Sequence, residues 1–398
     1  MLFRSRAVTR ALSVDVDLND VCRHDGCLFV RSGSGVAGRG RAAVVPDDEI
    51  LTVLSSIDHE DHSEGSAGPV AIGCVPFRPD SPSRFLIPSV VVRKNADGRA
   101  FITTIDRPAD DDLLLAAEPV VPSAPTYRVA PRRPIATYRA AVAAGREAVV
   151  RGELTKVVIA REVVVESDAP IDVHAVLLRL RASFGASYRY CIDGLIGASP
   201  ELLVSVSGNV VRSHPLAGTT PRTGDPGTDD ALAAALVASM KDQIEHRVVI
   251  DVVHDTLLPW CSYLDWQPEP TVIRVANVQH LGTLIEGHLS DPRPDALTLA
   301  RLLSPTPALG GHPRDRAIEL IDRVEGFERG RYGGAVGWLD ARGNGEFAVA
   351  IRCAELSPDR TAARLVAGGG IVADSDVDAE LAETQAKFQA MLSAIVRP

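Results

Sequence analysis

Two carboxylate pairs at helical spacing could together hold a divalent metal ion. Glu380 and Glu383 lie three residues apart near the end of the chain, and Asp242 and Glu245 have the same spacing in a segment that predicts a helix from about 229 to 258. Residues three apart share one face of a helix. Mg²⁺ is a hard cation that takes one or two protein carboxylates and leaves positions for water and an anionic ligand. An isolated pair of this kind is more often a solvated acidic face, so its meaning depends on the residues that accompany it.

Lys156 and Glu201 have the chemistry of a general base and a general acid. Lys156 opens the β-branched run KVVIAREVVV. Burial there would disfavour the charged ammonium and leave a neutral amine near pH 7, whereas a lysine at the rim of the strand would stay charged in water. Glu201 follows Pro200 at the start of another apolar strand, where burial could keep it protonated or where it could begin the strand in solvent. The residues alone leave both choices open.

Several other residues could bind an anion. Gly218 and Thr219 lie in PLAGTTPR, which predicts a glycine turn that offers N–H and hydroxyl donors, or a plain β-turn. Arg352 lies within the apolar strand AVAIRCA, where it either grips a carboxylate with two hydrogen bonds or forms a structural ion pair. Gly368 begins a run of three glycines that lets a backbone approach a ligand, or bulge. Two further side chains can donate hydrogen bonds: Tyr332 and His280.

Composition narrows the range of partners. The chain has 398 residues and a net charge of −10, which argues against nucleic acid and acidic membrane surfaces as partners. No apolar run reaches the roughly 18 residues of a membrane span, and the first residues lack the apolar core of a signal peptide, so we expect a cytosolic protein. The six cysteines contain no CxxC pair and do not form a disulfide framework in so long a chain. A small anionic substrate would therefore need local cations or a metal ion.

The elements that must position these residues alternate along the second part of the chain. Residues 1 to about 118 contain short β-rich runs between acidic turns, and the proline-dense stretch 118–136 predicts a surface segment or a sheet edge. Helical and strand patterns then alternate as far as a long final helix. Several strands are followed directly by another strand, which favours a mixed or antiparallel sheet over a doubly wound one.

Nine motifs occur in an order that resembles the chorismate-utilising enzymes. This family includes isochorismate, salicylate, anthranilate and aminodeoxychorismate synthases, and the resemblance covers roughly residues 133–392. It implies an α+β fold, a layered sandwich in which helices flank large mixed or antiparallel sheets around a central cleft. Residues 133–398 would form the chorismate-binding catalytic region, and residues 1–132 the N-terminal, β-rich part of the same fold. The motifs are KVVIAR, GASPELL, PLAGTTPR, KDQIEH, QHLGT, LLSPTPALGGHP, RYGGAVGWLDARGNGEFAVAIRCA, AGGGIV and ETQAKF.

Three positions make the chain most similar to the isochorismate synthases of this family. Relatives that use ammonia usually carry Gln at the position of Lys156, so the lysine implies water as the nucleophile. Aminodeoxychorismate synthases usually carry a nucleophilic Lys at the position of Ala217, and salicylate synthases tend to have Thr at the position of Ala308.

The resemblance implies a Mg²⁺-dependent, reversible conversion of chorismate to isochorismate. Lys156 would activate water for attack at C2, while Glu201 protonates the departing C4 hydroxyl from the opposite side of the ring. The metal would fix the ring carboxylate of the substrate. Its implied ligands are Glu245 and Glu380, with Asp242 and Glu383 bound directly or through water.

The resemblance also implies a set of substrate contacts. Arg352, Tyr332 and the Gly368 backbone would grip the enolpyruvyl carboxylate. Lys387, one helical turn past a metal-binding glutamate, would balance the charge of the dianionic substrate and the carboxylates, and His280 would contact the C4 hydroxyl. The residues that complete the pocket are Gly218, Thr219 and Ala308.

Two alternatives stay open at this point. A salicylate synthase would carry isochorismate onward by eliminating pyruvate, and a noncatalytic homologue would bind chorismate without the chemistry. The intact Lys156, Glu201 and metal-helix carboxylates argue against the second alternative. A Mg²⁺ enzyme acting on phosphates is disfavoured because the chain has no GxxxxGK[ST] loop. From the resemblance we expect a monomer that needs no glutamine amidotransferase subunit.

Overall fold

Two large β-sheets and a layer of helices form the protein. The computed structural model describes residues 5–63, 65, 67–107, 125–276 and 278–397, so positions 118–124 of the predicted proline-dense segment lie outside the described residues. None of the helices in these ranges combines the length and apolar content that a bilayer span requires.

The strands of the first third of the chain are short and lie close together in sequence. They are β1 (Arg6–Leu12), β2 (Cys27–Arg31), β3 (Ser34–Arg39), β4 (Ala43–Pro46), β5 (Asp58–Asp61), β6 (Val70–Val75), β7 (Arg84–Ile87), β8 (Val90–Lys94), β9 (Ala100–Ile105) and β10 (Tyr127–Pro131).

The later strands include the two longest ones, β11 and β25, which pair with each other. They are β11 (Lys156–Ser167), β12 (Tyr188–Ile192), β13 (Leu195–Ser199), β14 (Leu202–Ser207), β15 (Val210–His214), β16 (Leu216–Pro221), β17 (Cys261–Trp266), β18 (Thr271–Arg274), β19 (Val278–Gly282), β20 (Ile285–Leu289), β21 (Gly311–His312), β22 (Ala335–Asp340), β23 (Gly345–Val349), β24 (Cys353–Leu356) and β25 (Ala362–Ile371).

The helices mostly follow or separate these later strands. They are α1 (Leu18–Cys22), α2 (Ile50–Ser56), α3 (Ile135–Val150), α4 (Val173–Phe184), α5 (Pro226–Ala238), α6 (Met240–Leu257), α7 (Ala296–Leu303), α8 (Arg314–Glu325) and α9 (Val377–Val396).

Strands from both ends of the chain contribute to both large sheets. The first sheet has 13 strands in the order β10-β11-β25-β24-β13-β12-β2-β3-β8-β9-β1-β5, with β21 added beside β11. The second has nine strands, β17-β20-β15-β14-β23-β22-β6-β7-β4, and a third, small sheet is β16-β19-β18. Apart from the parallel pair β1 and β5, the strand pairs among the described residues are antiparallel. The predicted α+β fold with large mixed sheets and flanking helices is confirmed.

Side-chain alternation in β12 illustrates how the first sheet separates two cores. Tyr188 and Tyr190 point into a buried cluster shared with the second sheet, and Phe29 stacks on Tyr188 with ring centroids 5.6 Å apart. Cys191 belongs to a different buried cluster, formed against α1, α4 and α9. Successive residues of a strand point to opposite faces, so Arg189 lies on the helical side as well.

The predicted helix from about 229 to 258 is wrong, because the chain breaks into α5 and α6 at Ser239. This residue has extended backbone angles (φ −72°, ψ 109°), and its side-chain oxygen accepts a hydrogen bond from the N–H of Asp242 at 3.3 Å. Serine is a strong N-cap because its hydroxyl satisfies one of the free N–H groups of the first turn. Asp242 consequently lies in the first turn of α6, where the helix dipole favours a carboxylate.

Two other segments each divide into two strands, among them the apolar stretch around Arg352 that was predicted to be one strand. The segment 194–208 forms β13 in the first sheet and β14 in the second, and the segment 346–356 forms β23 in the second sheet and β24 in the first. The chain therefore crosses between the two large sheets twice. The predicted PLAGTTPR turn is a strand, β16, with a bulge between Ala217 and Thr219.

Candidate active site

One cleft brings together twelve of the fourteen residues predicted for the site. It is bordered by β11, β16, α6, β25 and α9 and by both crossings between the large sheets. Asp242 and Glu380 do not line it. The predicted residues that do are Lys156, Glu201, Gly218, Thr219, Glu245, His280, Ala308, Tyr332, Arg352, Gly368, Glu383 and Lys387.

The two sheet crossings place an acid and an arginine side by side. Glu201 lies between β13 and β14, and Arg352 lies between β23 and β24, with a positive φ of 50°. The crossings are joined by backbone hydrogen bonds: the N–H of Val349 donates to the carbonyl of Glu201, and the N–H of Ala198 donates to the carbonyl of Arg352, both at 3.1 Å. The prediction that Arg352 lies inside a strand is therefore wrong, because the left-handed backbone ends the pairing there.

Lys156 is a buried lysine, not a rim residue. Its relative exposure is 3%, and its Nζ lies 2.5 Å from Oε1 of Glu245 in α6. This contact joins the first residue of β11 to the helix that carries one predicted metal-binding pair. A charged pair so shielded from water is much stronger than one on the surface.

Glu201 is buried and holds a proton at neutral pH. Its relative exposure is 3%, and burial raises the pKa of its carboxyl group to about 8, although the nearby Lys156 and Arg352 oppose this shift. The backbone N–H of Leu216 points to its Oε1 at 3.4 Å. The solvent-exposed alternative for Glu201 is thus wrong, and a carboxyl group able to donate a proton faces the cleft.

The hydrogen-bond partner of Arg352 is a histidine, although the charge of Arg352 also interacts with that of Glu383. Its Nη2 lies 3.4 Å from Nε2 of His280, and among the described residues it forms no ion pair, so the structural ion-pair alternative is not realised. Burial lowers the pKa of His280 to about 3, which makes the ring neutral. Its Nδ1 lies 3.1 Å from the carbonyl of Gly218 and must carry the proton, because a carbonyl only accepts. Nε2 then accepts from Arg352, whose positive charge remains available to an anion.

A strand backbone and a helix form another part of the cleft wall. Lys387 in α9 donates to the carbonyl of Gly368 at 2.7 Å and pairs with Glu383 at 2.5 Å. Although burial disfavours the charged form of Glu383, Lys387 holds the pKa of that carboxyl group below its usual value. Burial raises the pKa of Tyr332 to about 12, so its phenol keeps the proton and can donate. The hydroxyl of Thr219 also borders the cleft, and it lies 3.2 Å from Nδ1 of His280.

The four predicted metal-binding carboxylates approach the cleft from α6 and α9. Glu245 and Glu383 line it, and each pairs with a lysine. Asp242 and Glu380 lie one helical turn earlier on the same two helices. Across the ranges that the structure describes, no three potential ligand side chains are gathered closely enough to form a metal centre. The predicted cluster of four is thus not assembled here.

The donor set nevertheless fits a hard divalent cation, because the carboxylates of Glu245 and Glu383 both line the cleft. A Cβ atom at Gly370 would lie 3.2 Å from Oε1 of Glu245, and one at Gly369 would lie 2.5 Å from an oxygen of Glu380. The other oxygen of Glu380 accepts a hydrogen bond from Ser375 at 2.8 Å. Gly370 thus leaves room beside Glu245 and Lys156, whereas Gly369 faces Glu380 on the other side of the strand. Carboxylate oxygens are the protein ligands that Mg²⁺ prefers.

One pair of residues that supports the cleft was missed by sequence reasoning. Glu325 and Arg329 are 0% and 1% exposed and form an ion pair. Arg329 also donates to the carbonyls of Val158 and Leu309, each at 2.7 Å, while Glu325 accepts from the N–H of Ala160 at 2.7 Å. The only sequence signal was an acidic and a basic residue four apart, which usually marks a solvated helix face.

The comparisons with known proteins agree with this site. A family model for chorismate-binding enzymes matches residues 53–396. A Mycobacterium tuberculosis H37Rv protein provisionally named isochorismate synthase MenF is 41% identical over 340 residues, covering 82% of this chain and 86% of that protein. The Bacillus subtilis isochorismate synthase DhbC is 38% identical over 389 residues, covering 93% and 94%. The chain belongs to the family of chorismate-binding enzymes.

A solved structure with the same fold is that of MenF, the menaquinone-specific isochorismate synthase of Escherichia coli. It matches with a TM-score of 0.85, covers 99% of this chain and 95% of its own, and is 24% identical. At this identity the match bears on the fold, including the two-sheet arrangement around the cleft.

Replacing Arg329 by Met should strongly destabilise the protein, because it would leave the Glu325 charge buried without its partner. We expect the free energy of unfolding to fall by about 3–5 kcal/mol in urea denaturation. The matched control is Arg151→Met, which breaks the exposed pair of Arg151 and Glu147, also four residues apart, and should cost less than about 1 kcal/mol. Equal losses in the two variants would contradict a special role for the buried pair.

Glu201→Gln should change how stability depends on pH. The folded carboxyl group has a pKa of about 8, above the ordinary 4.5, so between these values the unfolded chain ionises while the folded protein keeps its proton. Wild-type stability should therefore fall relative to Glu201→Gln by roughly 1.4 kcal/mol per pH unit in this window and level off above it. Urea denaturation from pH 5 to 9 measures this, with Glu328→Gln, at an exposed position, as control. Parallel curves for wild type and Glu201→Gln would refute a neutral buried acid.

Proposed function

We propose that this protein is an isochorismate synthase, which interconverts chorismate and isochorismate. The observation that carries the proposal is a buried lysine, Lys156, and a buried, protonated carboxyl group, Glu201, in one cleft with Arg352, which forms no ion pair within the described part of the chain. Such a pair can remove a proton from water and donate one to a leaving hydroxyl. Relatives 38–41% identical to this chain are named isochorismate synthases, which supports the same assignment here.

The proposed reaction exchanges one hydroxyl for another. Lys156 acts as the base once it has given up its pair with Glu245, and it takes a proton from a water molecule that adds at C2 of the ring. The ring double bonds shift, the C4–oxygen bond breaks, and Glu201 gives its proton to the departing hydroxyl, which leaves as water. Substrate and product are isomers, so the reverse reaction begins from the ammonium form of Lys156 and the carboxylate form of Glu201. Lys156 and Glu201 together carry the same number of protons at the start of either direction, as a reversible reaction requires.

Substrate binding would follow the positive charges and donors of the cleft. Arg352, Tyr332 and the backbone near Gly368 suit the enolpyruvyl carboxylate, since a guanidinium and a protonated phenol both donate. Lys387 places a further cation beside them. His280, neutral and held by its Nδ1–H, fits a contact with the C4 hydroxyl. In a chain of net charge −10, these local cations are what a small dianion requires.

We also assign Mg²⁺ to the carboxylates of α6 and α9. Glu245 and Glu380 would hold it, with Asp242 and Glu383 as direct or water-mediated ligands. When bound, the cation supplies positive charge for the ring carboxylate of the substrate. Glu245, released from its pair with Lys156, would then serve the metal.

The remaining proposals concern organisation. Residues 1–132 would be the N-terminal part of a single fold whose catalytic residues come from 133–398. We propose a cytoplasmic monomer that works without a glutamine amidotransferase subunit, since water and not ammonia is the nucleophile at Lys156. Ala217 and Ala308 support isochorismate synthase over the aminodeoxychorismate and salicylate synthases.

The reaction is tested by incubating the purified protein with chorismate, with and without Mg²⁺ and ammonium, and separating the products. We expect isochorismate, at a fixed ratio to chorismate, only with Mg²⁺ and independently of ammonium. Lys156→Ala should lower the rate about 10²–10⁴-fold by removing the base, while calorimetry still detects chorismate binding. Lys94→Ala, far from the cleft residues in sequence and sheet position, is the control. Salicylate with pyruvate, or no product despite binding, would refute the assignment, and unchanged turnover in Lys156→Ala would remove Lys156 as the base.

The metal assignment is tested by Glu380→Ala. Losing one of two direct carboxylate ligands should weaken Mg²⁺ activation at least about tenfold, measured as the Mg²⁺ concentration for half-maximal isochorismate formation. Asp378→Ala, on the same helix but exposed, is the matched control and should keep the wild-type Mg²⁺ response. An unchanged response in Glu380→Ala would place the metal elsewhere.

A further inference from the structure

A second cavity lies on the helical side of the first sheet, away from the cleft. It has a volume of about 420 Å³ and is formed where α1 begins, where β2 ends and where α4 ends. At its wall is Arg189 of β12, the neighbour of Tyr188 and Tyr190, whose side chains enter the core between the two large sheets. Arg189 thus points away from the cleft region, by the alternation of the strand.

Arg189 is a buried cation that forms no ion pair with any residue the structure describes. Its relative exposure is 2%, and its one hydrogen bond among the described residues runs from Nη1 to the neutral amide oxygen of Asn19, at 2.9 Å. Its Nε is fully buried and has no partner. Burial lowers the pKa of its guanidinium to about 10; nearby Arg181 adds to this shift and Asp17, which is itself paired with Arg181, opposes it. Buried charges in proteins are normally paired, so this one indicates a missing anion.

The other charges around the cavity are already neutralised. Lys94 pairs with Asp15 at 2.5 Å, and Arg181 pairs with Asp17. The cavity lining therefore carries one uncompensated positive charge, that of Arg189. A single negative charge would balance it, whereas a phosphate dianion would bring excess charge close to the carboxylates of Asp15 and Asp17.

The size and lining of the cavity favour an organic anion over a simple ion. Its volume lies within the range of roughly 300–1,000 Å³ that is usual for small-molecule sites. Apolar side chains line it together with the charged residues, and they are Val16, Leu18 and Val30. We propose that this cavity binds a small organic monocarboxylate, whose carboxylate pairs with Arg189 and whose apolar body packs on these three side chains.

Benzoate is a suitable probe, and Arg352→Met is a suitable background because it weakens carboxylate binding in the cleft. Calorimetric titration of Arg352→Met with benzoate should give saturable binding to one site. Adding Arg189→Met should weaken this binding at least about tenfold, as expected for loss of a charge-assisted hydrogen bond. Benzamide, which has the same shape without the charge, should also bind at least about tenfold more weakly. Equal benzoate affinity with and without Arg189, or no saturable binding, would overturn the proposal.

A crystallographic measurement does not depend on how the Arg189 variant folds. Crystals of the wild-type protein soaked in 4-bromobenzoate should give an anomalous bromine peak in the cavity beside Val16 and Val30, with the carboxylate against Arg189. Bromine found only in the active-site cleft, or at neither place, would refute the site. Because the probe and the cavity are independent of chorismate turnover, failure of either experiment leaves the proposed enzymatic function unaffected.

Discussion

The buried ion pair of Glu325 and Arg329 is the interaction on which the geometry of the cleft depends. Two charges without contact to water are stable only when every donor and acceptor is satisfied. Here the pair meets this need by bonding to the backbone of β11 and to the loop at Leu309. Val158 is two residues beyond Lys156, so the proposed base is positioned by the same network.

The network of hydrogen bonds around Arg329 also includes the backbone of Tyr332, which lines the cleft. The N–H of Tyr332 donates to the carbonyl of Arg329 at 3.2 Å, and the guanidinium of Arg329 lies 4.4 Å from the ring centre of Phe77 and 5.9 Å from that of Tyr332. The base, the loop that includes Ala308 and the tyrosine thus share one anchor. Hydrogen bonds are directional, so the buried guanidinium of Arg329 fixes the positions of these segments more closely than packing alone would.

Much of this arrangement could be predicted from local patterns, and the exceptions have physical causes. The helix predicted from the spacing of Glu380 and Glu383 is present as α9, because helical periodicity depends on residues close in sequence. The interruption of 346–356 does not appear in the pattern, since every residue around Arg352 is apolar enough for a strand and only the positive φ ends it. Ser239 ends α5 because its backbone is extended and its side chain caps α6, which helix propensities along the segment do not show. Glu325 and Arg329 resemble a surface pair because the sequence does not record which face of α8 is covered.

The two sheet crossings explain why an acid can be neutral beside an arginine. Glu201 leaves the first sheet where Arg352 enters it, and the backbone hydrogen bonds between the crossings hold both side chains at the edge of a buried core. Burial raises the pKa of Glu201, while Arg352 would lower it, and burial prevails. The uncharged ring of His280 is the hydrogen-bond partner of the Arg352 guanidinium. The positive charge of Arg352 therefore stays available to an anionic ligand. A carboxylate in the position of His280 would have neutralised the arginine internally, and the cleft would then have lost the charge by which it can bind a dianion.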